Sequence, residues 1–290
     1  MKKWLLTLLW CAVGLILSGC IVYGSKTPFC TPEESIEDNA FLFPVGTPYF
    51  IGWKQDRNSP QSIASARLLP QEKRYRYVLL AKDEKTGKMA AQENKPMLVR
   101  YFRHDGLYYA DLQFVDPDPE VKPLTELHHL CLVGVLGDRV VFTSYGPWLA
   151  KDEQWESCEH YDVVKDDKGK LQRLVYKGTP AQLKEKIGTV LHPVIIFTGQ
   201  LPHQPLPEKA DGIFSRKYRE KFLLHFIRLQ QDWLQNRGKT SKGDFDQAIG
   251  FIEKILNEDG SKKLSPKVIA EAKKLIAEQK RLIAEQFKKQ

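Results

Sequence analysis

The sequence lacks the short motifs that identify many catalytic sites. It has no Gly-x-Ser-x-Gly elbow, no His-Glu-x-x-His zinc motif and no glycine-rich loop that could hold a phosphate. It also has no second apolar run of membrane-spanning length after the one that ends near residue 22. These absences argue against a motif-defined hydrolase, a nucleotide-binding enzyme and a protein that crosses the membrane several times. They leave open an enzyme whose catalytic residues are dispersed along the chain.

The first twenty residues have the order of an export signal. Two lysines precede an uncharged run over residues 4–18, and small residues stand immediately before a cysteine. The tetrad Leu17-Ser18-Gly19-Cys20 resembles the lipobox of bacterial lipoprotein precursors, and the resemblance is confined to this N-terminal part of the chain. The alternative is that residues 4–22 stay in the membrane as an uncleaved helix of nearly spanning length.

The resemblance implies that residues 1–19 are a signal peptide and that Cys20 becomes the first residue of the mature chain. Cys20 would then carry a thioether-linked diacylglycerol and an acylated amino group, with palmitate-type chains that hold the protein at the membrane. Three chains suit a stable anchor, because each buried methylene contributes about 0.8 kcal/mol. The residue after the cysteine is Ile21 and not aspartate. By resemblance to lipoprotein sorting in Gram-negative cells, this implies an outer-membrane protein that faces the periplasm.

Positive charge is concentrated in the C-terminal part of the chain. Residues 212–290 carry 18 Lys and Arg against 10 Asp and Glu, whereas residues 20–211 carry 24 against 26. A basic segment suggests nucleic acid in the cytoplasm, but export removes that partner. The expected partner of this segment is therefore an envelope protein or an anionic envelope surface such as lipid headgroups. The alternative is a solvated helix face whose lysines contribute only solubility.

The pattern after the lipobox predicts a tether followed by an antiparallel β-rich domain. Residues 20–39 contain Gly, Pro and acidic residues without periodicity, which is typical of a flexible tether with a reach of about 25 Å. Residues 40–200 contain strand patterns, with hairpins in residues 97–114, 130–143 and 161–176 that each turn at a glycine. Consecutive hairpins predict an antiparallel β-meander, either a curled sheet or a small barrel.

A proline-rich stretch separates the strands from a helical segment. Residues 201–213 contain three prolines within six positions, which predicts a semi-rigid linker and a domain boundary. Residues 214–290 have three amphipathic helical patterns and are expected to form a basic helical module. The fold class is therefore α+β, with the meander first and a three-helix C-terminal segment after it. The first of these helices places large apolar side chains on one face: Tyr218, Phe222, Phe226, Leu229 and Trp233.

Where this aromatic face is buried decides whether the helical module is separable. A helix with one apolar face must cover that face. We expect the three helices to bury these faces against one another, so that residues 214–290 form a separable module and the strand domain folds without it. Burial on the sheet predicts that removal of the helices exposes an apolar surface.

The last helical pattern contains a heptad repeat. VIAEAKK, LIAEQKR and LIAEQFK follow one another in register over residues 268–288, so that their apolar positions share one helix face. The repeat suits a coiled-coil or docking helix for another envelope protein, or a helix that packs on the two helices before it. Ala272 and Gln279 weaken the apolar row, which favours packing on the preceding helices.

Three cysteines remain after signal cleavage and lipidation: Cys30, Cys131 and Cys158. An oxidising compartment maintains disulfides, and an odd number of thiols permits at most one bridge within the chain. We expect Cys131 to pair with Cys158, while Cys30 stays free. Free buried thiols are the alternative.

Two groups of residues have the composition of metal sites. A zinc ion could use two histidines and two cysteines: His128, Cys131, Cys158 and His160. The run DPDPE at residues 116–120 alternates carboxylates that could bind calcium. It lacks the glycine and the additional ligands of a known calcium loop, so a proline-stiffened turn is favoured. The disulfide is the simpler use of the cysteines, and no metal or other cofactor is expected.

Two classes of function are compatible with these features. The first is a lipid-anchored envelope protein without enzymatic activity that binds a partner or has a structural role. The second is an envelope hydrolase or cell-wall enzyme with dispersed carboxylates or a histidine-based site, whose catalytic residues cannot be assigned from the sequence. The missing motifs and the anchored layout favour the first class. A cleft that gathers titratable groups would favour the enzyme, whereas an exposed apolar patch or an open sheet edge would favour binding.

Overall fold

The structure is a computed structural model that describes the greater part of the chain after residue 21. The described ranges are 22–36, 49–51, 62–69, 72–82, 86, 89–115, 126–137, 139–147, 160–165, 167–169, 171–200, 212–236, 242–257 and 264–288. The lipobox, Cys158 and the carboxylates of residues 116–120 lie outside the described residues.

The first part of the chain consists of β-strands. They are β1 (Val22–Ser25), β2 (Tyr49–Ile51), β3 (Ser62–Leu69), β4 (Arg74–Lys82), β5 (Met89–His104), β6 (Leu107–Phe114), β7 (His128–Leu136), β8 (Arg139–Pro147), β9 (Tyr161–Lys165), β10 (Leu171–Tyr176) and β11 (Leu191–Gln200). The four α-helices come later in the chain: α1 (Pro180–Glu185), α2 (Arg216–Asn236), α3 (Lys242–Asn257) and α4 (Pro266–Lys288). The predicted α+β class, with the strands before the C-terminal helices, is confirmed.

The strands form a mixed sheet in the order β6-β5-β4-β3-β2-β11-β8-β7-β1-β10-β9, and β6 pairs additionally with β7. From β2 to β8 each strand pairs antiparallel with the next, which confirms the meander. Because β11 pairs with both β2 and β8, the sheet curls back on itself. β1 departs from the antiparallel pattern, since it lies parallel to β10.

The three predicted hairpins are present, and turn chemistry explains the clearest of them. β5 and β6 are joined by Asp105 and Gly106, whose φ angles are 50° and 71°. Two successive residues with positive φ make a turn whose twist matches that of the flanking strands, and Asp-Gly tolerates this conformation. β7 and β8 turn at Gly137, and β9 and β10 turn at residues 167–169.

Serine side chains cap two of the long helices. The Ser215 hydroxyl accepts a hydrogen bond from the Tyr218 amide across 3.2 Å, at the start of α2. The Ser265 hydroxyl accepts from the Val268 amide across 3.4 Å, at the start of α4. Each cap satisfies one of the amide groups that a helix leaves unpaired at its first turn.

Within the described residues, none of the helices combines the length and the apolar content needed to cross a bilayer.

The aromatic face of α2 packs on the sheet. Phe222 and Phe226 are buried and stacked, with ring centroids 5.8 Å apart. Phe222 lies against β7 at Gly134, and Tyr218 contacts Tyr108 of β6 with ring centroids 4.7 Å apart. Strands and helices therefore share one hydrophobic cluster. These contacts favour the arrangement in which the helix covers the sheet, and they lead us to expect that the strands do not fold as a soluble unit without it.

The heptad face of α4 packs within the molecule. Its buried positions recur at intervals of four, four, three and four: Val268, Ala272, Ile276, Gln279 and Ile283. Ala272 and Gln279 are fully buried, although the sequence suggested that they weaken the row. The small Ala272 side chain permits close helix approach, and the Gln279 amide donates a hydrogen bond to the Ile227 carbonyl of α2. Packing of α4 on α2 and α3, the interpretation that the sequence favoured, is confirmed.

The predicted flexible tether is wrong for residues 22–36. β1 pairs in parallel with β10 and meets β7 at Ser25 opposite His128. Phe29 and Cys30 are fully buried, and Pro32–Glu34 form a 3₁₀ turn. A strand of four residues is too short to give a periodic pattern, so its pairing is visible only in the folded chain.

Candidate functional site

A buried pair of titratable side chains lies where β6 and β7 meet. The Nδ1 atom of His128 lies 2.9 Å from Oδ1 of Asp111, and their side chains are 9% and 1% exposed. Asp111 is the strand partner of Leu130, and Gln113 is the partner of His128. Asp111 and His128 are therefore diagonal neighbours on one face of the sheet. Because a carboxylate oxygen accepts hydrogen bonds, the Nδ1–H group of His128 is the donor.

The second oxygen of Asp111 binds the N-terminal segment. Oδ2 accepts a hydrogen bond from the Phe29 amide across 3.2 Å. Arg100 of β5 lies directly opposite Asp111 in the strand register and is buried. Its guanidinium donates to the Cys30 carbonyl across 3.4 Å and to the Glu72 carbonyl across 3.2 Å. We call Arg100, Asp111 and His128 the N-terminal clamp, because two of the three bind the backbone of residues 29–30.

Asp111 of the clamp has the polar partners that a buried charged group requires, whereas the Nε atom of the buried Arg100 has no hydrogen-bond partner among the described residues. A charged group that leaves water without partners is strongly destabilising, whereas a hydrogen bond to a charged group contributes about 1.5–3 kcal/mol. Here both oxygens of Asp111 are occupied, one by His128 and one by the Phe29 amide. The sequence carries one signal for this cluster, although none of the motifs and patterns described above includes it. Asp111 is the single charged residue in the strand LYYADLQF, whose other residues, apart from Gln113, are apolar or aromatic.

The clamp contains two of the three groups of a nucleophilic catalytic site, a histidine and the carboxylate that orients it. A carboxylate that orients a histidine is the base-and-orienter arrangement of many hydrolases, but catalysis also requires a nucleophile. Burial raises the pKa of the Cys30 thiol far above its ordinary value, and the nearby Asp111 charge adds to this effect. Burial raises the pKa of the Cys131 thiol to about 12. Both thiols are therefore protonated at neutral pH, which leaves neither of them as an activated nucleophile.

The interior of the sheet is rich in tyrosine. Tyr77 and Tyr101 form a hydroxyl–hydroxyl hydrogen bond, and Tyr109 and Tyr145 make an edge-to-face contact with ring centroids 6.0 Å apart. Burial raises the pKa of Tyr145 well above its ordinary value, and the neighbouring Tyr109 contributes to the shift. Tyr109 and Tyr145 therefore remain neutral in the physiological range and contribute packing and hydrogen bonds without charge.

The structure separates two of the four candidate zinc ligands. His128 and Cys131 are three residues apart on β7, so their side chains point to opposite faces of the strand. His160 precedes β9 and lies near the Tyr161 ring, with centroids 6.5 Å apart. Over the part of the chain that the structure describes, no three His, Cys, Asp or Glu side chains are grouped as a metal site would require.

The expected disulfide stays a prediction. Cys131 is a buried free thiol in the structure, with a side-chain hydrogen bond to Ser144, and Cys158 lies outside the described residues. A bridge between them would close a loop of about 27 residues and would contribute about 3 kcal/mol if unstrained. Peptide mapping without reduction tests the pairing. A bridge from Cys30 to either cysteine would contradict it.

Comparison of the chain with protein-family models, with curated proteins and with solved structures gives no match. The function proposed below therefore rests on the residues and geometry of this chain.

Proposed function

We propose that the chain is a lipid-anchored protein of the cell envelope with a binding or structural role and no enzymatic activity. The observation that carries the proposal is the tetrad Leu17-Ser18-Gly19-Cys20 at the end of the apolar run. Lipid on Cys20 would lie two residues before Val22, the first residue of β1. In a Gram-negative cell, Ile21 after the cysteine favours the outer membrane, with the folded chain in the periplasm.

The use of the N-terminal clamp supports a non-enzymatic role. A catalytic Asp–His pair needs a free reacting face and a nucleophile within hydrogen-bond reach. Asp111 instead holds His128 with one oxygen and the chain's own backbone with the other. Arg100 likewise donates to backbone carbonyl groups on two segments. The arrangement suits a group that fixes the N-terminal segment on the sheet.

Mass spectrometry of the intact protein from membranes tests the lipid anchor. We expect a mature chain that begins at Cys20 and carries three acyl chains. Cys20→Ala should abolish lipid labelling. It should also prevent cleavage of the signal peptide before position 20. Cys11→Ala is the matched control, because Cys11 lies within the signal peptide and its loss should leave lipidation unchanged. A wild-type chain that begins at Met1 would contradict the proposal and would indicate an uncleaved membrane helix.

The envelope hydrolase is the second candidate, and the Asp111–His128 pair is the observation that favours it. This candidate predicts that the purified protein hydrolyses model esters or cell-wall fragments. It also predicts that His128→Gln abolishes the activity while the melting transition is retained. Activity that is absent from the wild type, or unchanged in this variant, would remove the pair from consideration as a catalytic group.

A further inference from the structure

Strand directions place three hairpin turns at one end of the sheet. β1 and β10 are parallel, with Val22 opposite Arg173, so the turn at residues 167–169 lies at the end where β1 begins. β7 meets β1 in the antiparallel direction, with Ser25 opposite His128, so the β7–β8 turn at Gly137 lies at the same end. β6 is antiparallel to β7, which brings the Asp105-Gly106 turn there as well. We call this end, with its three turns, the anchor end.

The anchor end is also where a lipid on Cys20 would attach. Cys20 precedes Val22 by two residues, and consecutive Cα atoms are about 3.8 Å apart, so the chain can span no more than about 8 Å between them. Val22 pairs with Arg173, and β10 begins two residues earlier, at Leu171. The turn at residues 167–169 precedes Leu171, so it projects beyond Val22 at this end of the sheet. With so short a connection, the anchor end cannot be held far from the membrane surface.

The C-terminal helices reach this end. Lys221 of α2 donates a hydrogen bond to the Asp105 carbonyl across 2.7 Å. Ile255 of α3 approaches the β7–β8 turn, with a side-chain atom 3.8 Å from the Cβ position of Gly137. The basic helical segment therefore reaches the same end of the sheet at which β1 begins.

The exposed charges described at the anchor end are mainly positive. The basic side chains are on the turns or on the helices that touch them: Arg103, Lys165, Lys168, Lys221 and Lys254. The exposed acidic side chains are Asp105, Asp167 and Glu72, which stands just before β4 at the same end of the sheet. Glu34 lies near His104 and is paired with Lys184. Anionic headgroups attract each lysine or arginine near the membrane surface, and the attraction acts within a Debye length of about 8 Å at physiological ionic strength. The short connection to Cys20 brings this end into that range.

We propose that the anchor end is a membrane-contact surface that binds anionic lipid headgroups and fixes the orientation of the folded chain. The inference rests on the proposed function, because it requires lipid on Cys20. The β9–β10 hairpin and the start of α2 face the bilayer, while the opposite end of the sheet faces away from it. Lys26, just after β1, and Lys177, just after β10, are exposed on that opposite end and provide internal controls.

Lysine footprinting of the lipidated protein tests the orientation. The full mature chain is reconstituted in vesicles of phosphatidylethanolamine with a minor fraction of phosphatidylglycerol, and separately in nonionic detergent. A water-soluble succinimidyl ester labels the lysines, and mass spectrometry measures each site. We expect the reactivity of Lys165, Lys168 and Lys221 to fall by about fivefold in vesicles, the factor that corresponds to about 1 kcal/mol of attraction per lysine. Lys26 and Lys177 should react equally in both samples.

Failure of this inference and failure of the proposed function give different results. The intact mass of the same sample reports whether Cys20 carries lipid. A lipidated protein whose anchor-end lysines react as fast in vesicles as Lys26 and Lys177 overturns the orientation alone. A chain without lipid overturns the proposed function. Vesicles of phosphatidylcholine alone carry no anionic lipid. If the anchor-end lysines are protected equally in these vesicles, binding of anionic headgroups is overturned, because steric contact with the membrane would then explain the protection.

A pair of charge-reversal variants separates local contact from overall charge. Lys165→Glu with Lys168→Glu changes the anchor end, and Lys26→Glu with Lys177→Glu makes the same change in net charge at the opposite end. We expect Lys221 to lose its protection in the first variant and to keep it in the second. Equal loss in both variants would overturn the proposal, since the effect would then follow net charge and not position. Both variants should melt near the wild type, because all four side chains are exposed.

Discussion

Phe222 of α2 lies directly over Gly134 of β7, so closely that a Cβ atom at position 134 would come within 2.3 Å of the phenyl ring. Helix α2 can approach the sheet at this place only because the strand residue has no side chain. The contact buries the aromatic face of the helix. It also helps to set the position of α2, which carries Lys221 to the anchor end.

Gly134→Ala should therefore destabilise the protein. The added methyl group forces a shift of a fully buried ring, and overpacking of this kind costs about 1–3 kcal/mol. Gly250→Ala is the control, because Gly250 lies in helix α3 with open space at its Cβ position and alanine is the better helix former by up to about 1 kcal/mol. Urea denaturation measures both variants. A wild-type transition for Gly134→Ala would contradict the contact.

Tyr218→Phe should destabilise the protein through the loss of one oxygen atom. The Tyr218 hydroxyl donates to the Val133 carbonyl and accepts from the Tyr108 amide across 3.1 Å, so it links β6 and β7. Removal leaves buried backbone groups without a partner, at a cost of about 1–3 kcal/mol. Tyr176→Phe is the control, because the buried Tyr176 hydroxyl has no hydrogen-bond partner. Equal thermal midpoints for the two variants would contradict the assigned role.

Asp111→Asn should loosen the N-terminal segment. The substitution replaces one acceptor oxygen with a donor, so either His128 or the Phe29 amide loses its partner, and we expect a loss of about 2 kcal/mol. Hydrogen exchange at the Phe29 amide should become faster. Asp162→Asn is the control, since Asp162 is largely exposed and its ion pair with Lys177 contributes little. Unchanged exchange at Phe29 in Asp111→Asn would show that the clamp does not hold the segment.

His225 should make the protein less stable in acid. Burial, together with the smaller effect of the nearby Lys221 and Arg228 charges, lowers the pKa of His225 to about 4. The unfolded chain has the ordinary pKa of about 6.5, so it binds the proton more readily and the folded state loses stability as the pH falls from about 6.5 to about 4. His225→Gln should reduce this pH dependence. An NMR titration of His225 with a pKa above 6.5 would contradict the prediction.

Truncation after Leu206 tests how the helices depend on the sheet. It removes α2, α3 and α4 and exposes the surface around Gly134 and Tyr108 that α2 covers. We expect the truncated chain to aggregate, and the two fragments of a chain cleaved between residues 201 and 211 to stay associated. A soluble truncated protein with a cooperative melt would instead establish the separable helical module that the charge and proline patterns predicted.

The sequence alone determined the elements whose causes are local. Asp105-Gly106 predicts a tight turn because both residues tolerate positive φ, and Ser215 and Ser265 predict helix starts because their hydroxyls can accept from the first-turn amides. The heptad spacing in α4 predicts one apolar face of a helix. Such features depend on residues within a few positions of one another, so they can be recognised without knowledge of the fold.

Only the tertiary structure decided which distant segments meet. The parallel pairing of β1 with β10 joins residues about 150 positions apart and converts an expected tether into part of the sheet. Asp111 in an apolar strand signalled a buried charge, but its partner atoms on Phe29 and His128 come from segments that chain folding brings together. The lipobox cysteine, Cys20, and the basic charge of the helical segment can likewise be recognised from the sequence. That the start of β1 and the helices lie at the same end of the sheet depends on the direction of every strand between them, because a single reversed pairing would place them at opposite ends.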